Sequence, residues 1–387
     1  MCFDPLLSIL FIVLLFLAIH SYLLYPIIMK VIAFFHKEHG TSLVNPTVSI
    51  LISAYNEVKV IRNRIENIAG QDYDFAKIEV LVGSDDSSDG TNDALIHLEK
   101  QYPWLKVFIF TERRGKASVL NDLAHSARNE ILVFTDANTE FDRAAVRVLL
   151  QGFGNDEIGG ICGRLILLET GANRSESIEE RKYWEYETFI KKAEGKCGIL
   201  IGANGGIFAV RRSLFEELPP DAITDDFYIT LSVLLKNRKF TYEENAIATE
   251  DITANITTEL RRKIRFAATN FQTLAYFRRL LFNRNVLLSF AFWSHKIIRW
   301  FFPLILAGIF VLNVLLRKSS GFYSVTFELQ LAFYAVGLIG YLFSLVKIRI
   351  ALFSGVYFFL VSNLALFLGM VRFVQGKQST IWQSTPR

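Results

Sequence analysis

Long apolar stretches bracket this chain at both ends, with a charged segment between them. Residues 6–28 hold no Asp, Glu, Lys or Arg, and His20 is their one imidazole. About 20 consecutive apolar residues cross the hydrocarbon core of a bilayer as a helix. The stretch therefore reads as a membrane span. A cleaved signal has a shorter apolar part behind a basic start, which is not seen here. Residues 297–316, 329–346 and 351–371 read as three further spans, and the aromatic-rich stretch 285–295 as a helix lying in the membrane interface. Lys30 and Lys37 come after the first span. Basic residues stay on the cytosolic side, so the charged middle of the chain is expected in the cytosol. Lys347 and Arg349 mark a turn on that same side. Three spans after a cytosolic domain would leave the tail outside, whereas Arg372, Lys377 and Arg387 favour the inside.

Composition agrees with a membrane protein: 51% of the 387 residues are hydrophobic and 34 are Phe. The net charge of +4 is too small to point to nucleic acid and suits basic flanks beside the spans. Cys2, Cys162 and Cys197 are odd in number and far apart, so they suggest neither a disulfide framework nor a metal-ligand pair. That fits a reducing compartment. The expected division is an anchor over 1–44, a globular domain over 45–276, and an interfacial helix with further spans over 277–387.

Within the globular part, residues 48–53, 79–83, 107–110 and 131–135 are short apolar runs that read as buried strands. Residues 58–69, 91–101 and 116–127 between them carry helical patterns. Strand, helix and strand in this rhythm build βαβ units and a mainly parallel sheet, an α/β fold. Such sheets bind ligands beyond the carboxyl ends of their strands.

The polar clusters fall at those ends. Ser53-Ala54-Tyr55-Asn56-Glu57 lies at the end of the first strand, Asp85 to Thr91 at the end of the second, and Asp136-Ala137-Asn138 at the end of the fourth. Asp89 and Thr91 suit helix capping. Capping does not explain adjacent Asp85 and Asp86, whose like charges repel unless something offsets them. Asp136 and Asn138, two apart, offer oxygen atoms to a hard cation such as Mg²⁺ or Mn²⁺. Arg113-Arg114-Gly115-Lys116 is either a phosphate contact at a helix start or a solvated basic turn. Thr224-Asp225-Asp226 precedes the helical pattern 227–235, so one aspartate can cap while the other takes a proton from an acceptor hydroxyl. Gly202 to Gly206, around Asn204, is a stretch where backbone can approach a ligand closely. Arg261 to Arg265 serves either as a collar for anionic lipid or as a set of cations for a pyrophosphate.

In this order the clusters resemble family 2 glycosyltransferases of the GT-A (Rossmann-like) fold, in particular the membrane-embedded bacterial polysaccharide, hyaluronan, cellulose and chitin synthases. The resemblance runs from Val48 to about Leu274, with membrane helices on both sides. It implies an inverting transferase that moves a sugar from a nucleotide-sugar, in the first place a UDP-sugar, to a glycan or lipid-linked acceptor. It further implies a multi-pass protein of the bacterial inner membrane, in contact with membrane lipid and with its catalytic domain in the cytosol. The family pattern assigns donor binding to Tyr55, Glu57, Asp85, Lys116, Asp136 and Arg265, and metal binding to Asp136 and Asn138. It assigns acceptor binding to Asn204 and Asp225, and the catalytic base to Asp226. Arg372, Trp382 and Arg387 resemble a recurrent ending of these enzymes. Three positions depart from the pattern. Asn138 replaces the second acid of D-x-D, and Asp86 stands where glycine is usual. Arg262 and Phe266 replace the Gln and Trp of Q-x-x-R-W, a motif associated with processive synthesis, so a non-processive transfer to a polyprenyl-phosphate-linked acceptor stands as the alternative. A membrane transporter or sensor with a nucleotide-binding domain is the further alternative; it would need charge buried among its spans, and these are expected to hold almost none, Glu328 lying at an edge.

Overall fold

The computed structural model of the chain describes residues 5–37, 40, 44–169, 174–252, 256–346 and 348–376. Lys347, Lys377, Trp382, Arg387 and Cys2 lie outside the described residues. The described chain forms two compact units, one drawn from residues 29–172 and 185–253, the other from residues 1–28, 173–184 and 254–378.

The first unit is built on one eight-stranded sheet: β1 (Val48–Ala54), β2 (Ile78–Asp85), β3 (Leu105–Phe110), β4 (Ile131–Phe134), β5 (Thr139–Phe141), β6 (Ile158–Glu169), β7 (Phe208–Arg211) and β8 (Lys239–Ile252). Their spatial order is β3-β2-β1-β4-β7-β6-β8-β5. β3, β2, β1 and β4 run parallel to one another. β7 reverses between β4 and β6, β8 runs parallel to β6, and β5 is antiparallel at the far edge. The sheet is therefore mixed, with the expected parallel half where the βαβ rhythm is. β1 is buried at six of its seven positions, as a strand covered on both faces must be. The covering helices include Ile61–Ala69, Thr91–Gln101 and Lys116–Ser126, which turn their apolar rows inward, as with Ile61, Ile65 and Ile68. Both Cys162 and Cys197 are buried free thiols.

The second unit is helical. Pro5–Phe35, Gly321–Leu345 and Ala351–Val374 are each long and apolar enough to cross a membrane. A fourth candidate is bent: Val286–Trp300 and Phe302–Leu316 meet at 66°. The sequence suggested a straight span from 297 and a separate interfacial helix before it. Instead the break falls at Phe301, where Pro303 in the first turn of the second arm offers no N–H to continue the ladder. Phe11 packs with Phe302, Ile305, Ile309, Leu312 and Leu316.

Two π-helical turns, His20–Leu24 and Phe292–Ile297, share this unit. In the first, Tyr25 N–H bonds the carbonyl of His20 rather than that of Ser21. The next residue, Pro26, has no N–H, so the Ser21 carbonyl loses its helical donor. Arg299 supplies it, with Nη2 at 2.9 Å. His20 and Ser294, one from each turn, hydrogen-bond at 2.8 Å. Buried charge is thus present among the candidate spans, contrary to what the sequence suggested: Arg299 is buried and completes a backbone bond. The Ile256–Tyr276 helix packs on Ala351–Val374 at Gly369, where a Cβ would lie 2.4 Å from Ala267 Cβ and 2.7 Å from the Ala268 backbone nitrogen.

Candidate active site

The site lies in the sheet unit, at the carboxyl ends of β1, β2 and β4. Asp85 closes β2 and is 2% exposed. Its two carboxylate oxygens accept the N–H groups of Arg114 at 2.8 Å and Gly115 at 2.9 Å. Gly115 has a φ of 87°, a conformation glycine adopts freely, and this lets the turn present both amides to one carboxylate. Asp86 turns out to solvent with φ 57°. The side chains of the adjacent acids therefore part, and the left-handed backbone accounts for the usual glycine there. Asp89 accepts the N–H of Thr91 at 3.0 Å and that of Val58 at 3.1 Å, a local capping role.

Tyr55 and Glu57 come just after β1. Glu57 is buried, and its N–H donates to Thr91 Oγ1 at 2.8 Å. The Tyr55 ring is covered by the guanidinium of Arg113, 3.1 Å from its centroid. The Arg113 Nε also stands 3.9 Å from Asp85. A nucleobase stacking on that face of Tyr55 has to displace Arg113 or stack upon it.

Lys116 begins its helix and reaches two carboxylates from different parts of the chain: Asp136 at 2.8 Å and Asp225 at 3.1 Å. Asp136 comes just past β4. Asp225 and Asp226 open the Asp225–Leu235 helix, whose free N–H groups favour negative charge. A Cβ placed on Gly205 would stand 3.6 Å from Asp226 Oδ2 and 3.7 Å from Asp136 Oδ2. The 116, 136, 205 and 225–226 segments, distant along the chain, thus meet at one spot.

This crowding moves the carboxylate equilibria. Burial, together with the neighbouring Asp225, pushes Asp226 from the ordinary 3.8 up to about 6, against the pull of Lys116 and Lys191. Burial likewise raises Asp225, offset by Lys116. A carboxylate near 6 is unprotonated at neutral pH yet basic enough to accept a proton in a transition state.

Asn138 donates its amide to Glu250 on β8 at 2.8 Å. Among the described residues, no group of three His, Cys, Asp or Glu side chains is assembled to hold a metal by itself. Asp136 and the Asn138 amide oxygen are hard donors all the same. Mg²⁺-type ions often take one or two protein oxygens and fill the rest of their shell from phosphates and water. The donor set fits such an ion.

Asn204 is turned into the core. Its carboxamide donates to the Gly163 carbonyl at 2.8 Å and accepts from the buried Lys191. What faces Asp136 and Asp226 from this loop is Gly205. Arg265 belongs to the helical unit, on the Ile256–Tyr276 helix, with its Nε buried and without a hydrogen-bond partner.

Three charged residues near the site escaped sequence reasoning. Arg64 is 1% exposed; it donates to Thr135 Oγ1 at 2.9 Å and Asn67 at 2.7 Å and lies 4.1 Å over the Phe141 ring. Thr135 in turn donates to the Gly206 carbonyl at 2.7 Å. Burial pulls Arg64 down to about 9, against the attraction of Asp136 and Glu140, so it stays charged at neutral pH. Its signal was an arginine on the apolar row Ile61, Ile65, Ile68. Lys191 and Glu250 gave no such signal, because only tertiary pairing brings them here.

The comparisons with known proteins agree with this geometry. The family model for glycosyl transferase family 2 matches residues 49–219. A probable glycosyltransferase, YdaM of Bacillus subtilis (strain 168), is 28% identical over 298 residues, covering 72% of this chain and 69% of its own. The poly-beta-1,6-N-acetyl-D-glucosamine synthase of Staphylococcus aureus (strain COL) is 22% identical over 234 residues, and the match covers 59% of this chain and 55% of the synthase. Among solved structures, mannosyltransferase PcManGT from Pyrobaculum calidifontis, in complex with GDP-Man and Mn²⁺, superposes with a TM-score of 0.73 at 20% identity, covering 96% of this chain and 100% of that one. That likeness establishes the GT-A fold.

Proposed function

We propose that the chain, whose residues 49–219 match the glycosyl transferase family 2 model and whose fold is GT-A, is an inverting, metal-dependent glycosyltransferase. It transfers a sugar from a nucleotide-sugar, in the first place a UDP-sugar, to a glycan acceptor in cell-surface or exopolysaccharide synthesis. The observation that carries this is the meeting of Asp136, Asp225 and Asp226 around Lys116 and Gly205.

The donor lies across the ends of β1, β2 and β4. Asp85, held by two backbone amides, accepts from the uracil or ribose, and Tyr55, Arg113 and Glu57 line the base end. Asp136 and Asn138 are the residues that would hold Mg²⁺ or Mn²⁺. When bound, such an ion offsets the diphosphate charge that grows as the sugar–phosphate bond breaks. Lys116 adds positive charge at the departing phosphate. Asp226 takes the proton of the acceptor hydroxyl as its oxygen bonds to the anomeric carbon from the side opposite the leaving diphosphate, which inverts that centre. Asp225 contacts the acceptor, and Asn204 with Lys191 keeps the loop in place beneath it. Arg265 is a further diphosphate contact on the family pattern alone. The spans anchor the enzyme in the inner membrane, with Lys30 and Lys37 marking the cytosolic side.

Non-processive transfer of one sugar to a polyprenyl-phosphate-linked acceptor is the second proposal. It is favoured by Arg262 standing where processive enzymes have Gln, and by its pairing with Glu180 at 2.9 Å. A panel of radiolabelled nucleotide-sugars, given to the full-length protein in membranes with Mn²⁺, tests both. A long polymer supports the first, a single-sugar lipid the second, and no transfer from any donor refutes both.

A further inference from the structure

Lys116 is expected, on the family pattern, to face the donor phosphates. Its ammonium bridges Asp136 Oδ1 at 2.8 Å and Asp225 Oδ1 at 3.1 Å. Asp136 is the acid proposed above to hold the divalent ion, and the inference rests on that assignment. A divalent ion and an ammonium group cannot occupy the same side of one carboxylate oxygen. Asp136 and Asp225 are like charges that repel at close range unless a cation lies between them. The lysine stem has four rotatable bonds and starts at the first residue of its helix, so its head can swing from carboxylate to phosphate with no movement of backbone.

We propose that Lys116 is the resident counter-cation of the donor site. With the site empty, it neutralises Asp136 and Asp225 and keeps the divalent ion from binding well on its own. When the donor arrives, its diphosphate takes the ammonium and Asp136 passes to the ion. Metal and donor then enter together, and free metal at cellular levels does not occupy a site that has no sugar to transfer. The exchange makes and breaks no covalent bond.

Mn²⁺ alone, titrated into the full-length protein in detergent and monitored by the EPR signal of free Mn²⁺, provides the test. Lys116→Met and Lys116→Gln should each bind Mn²⁺ about tenfold or more tightly than the wild type, because one competing unit charge at contact distance is removed. Arg114→Gln provides the control for charge loss at a distance. Its side chain pairs with Asp122 at 2.6 Å and not with Asp136, so its effect should stay within about threefold. Equal Mn²⁺ binding in wild type and both Lys116 variants, weak or strong, overturns the exchange, as does an Arg114→Gln gain as large as theirs. Adding Asp136→Asn to Lys116→Met separates the two layers. Loss of the gained affinity locates the exchange at Asp136. Its persistence shows that the assignment of the metal to Asp136 is at fault.

Discussion

Replacing Asp226 by Asn is expected to move activity and stability in opposite directions. The carboxyl is raised from 3.8 to about 6 because burial and Asp225 make its charged form unfavourable. In full, a rise of that size is worth about 3 kcal/mol. The side chain keeps some contact with solvent and shares its field with Asp225 and Lys116, so the part that appears as stability is about 1–2 kcal/mol. Linkage sets the sign. A carboxyl that binds its proton more tightly in the folded state favours folding at low pH, and that contribution is lost as pH rises through about 6. At pH 8 the wild type carries the cost in full, and the neutral amide does not. Asp226→Asn should therefore melt about 2–6 °C higher at pH 8, with the difference gone below about pH 4. Transfer should fall by about 10²–10⁴-fold, as loss of a general base predicts, while donor affinity holds. Thermal unfolding monitored by intrinsic fluorescence at pH 4 and pH 8 gives the first measurement, and initial rates of labelled-sugar transfer at pH 8 give the second. A variant that stays fully active refutes the base assignment. A variant that is inactive but less stable at pH 8 refutes the electrostatic picture of the site.

The acid limb of the wild-type pH–rate profile should bend near 6, falling about tenfold per pH unit below that, since the base must be unprotonated; the value belongs to the Asp225–Asp226 pair jointly. Asp136→Ala should abolish the Mn²⁺-dependent part of nucleotide binding, read by titrating the nucleotide with and without Mn²⁺; unchanged metal dependence would remove Asp136 as a ligand. Arg64→Met removes one hydrogen-bond donor each from buried Thr135 and from Asn67 and should lower stability by about 2–3 kcal/mol in a urea titration. An unchanged midpoint would mean that those hydrogen bonds contribute nothing net.

The half of the sheet legible in the sequence is the half whose strands need no partner to be recognised. β1, β2 and β4 are continuous apolar runs because helices cover both their faces. β8, with Lys239, Glu243, Glu244, Asn245 and Glu250 among its residues, carries too much charge to read as a strand, and its place is fixed by pairing with β6 and β5. The Arg174–Lys196 helix misleads for the opposite reason: it looks solvated, yet Glu187, Lys191 and Glu194 are buried. Asp85 and Asp136 were visible at strand ends and Asp225–Asp226 ahead of a helical pattern, because position beside an apolar run is a local property. What Lys116 and Asn204 touch was not, since their partners are set by strand order. The bend at Phe301 was foreshadowed only by Pro303.

The two π-helical turns of the helical unit have a consequence for sequence change. Each holds one residue more than a regular turn and absorbs it locally, so deleting one position within 20–24 would leave a regular turn, whereas a deletion in the regular helix between Phe11 and His20 would rotate Phe11 by about 100° relative to that turn. In the second case Phe11 would leave its seat against Phe302, Ile305 and Ile309. Length is thus less forgiving in the regular turns on either side than in the π-turn itself, where one residue already stands outside the helical count.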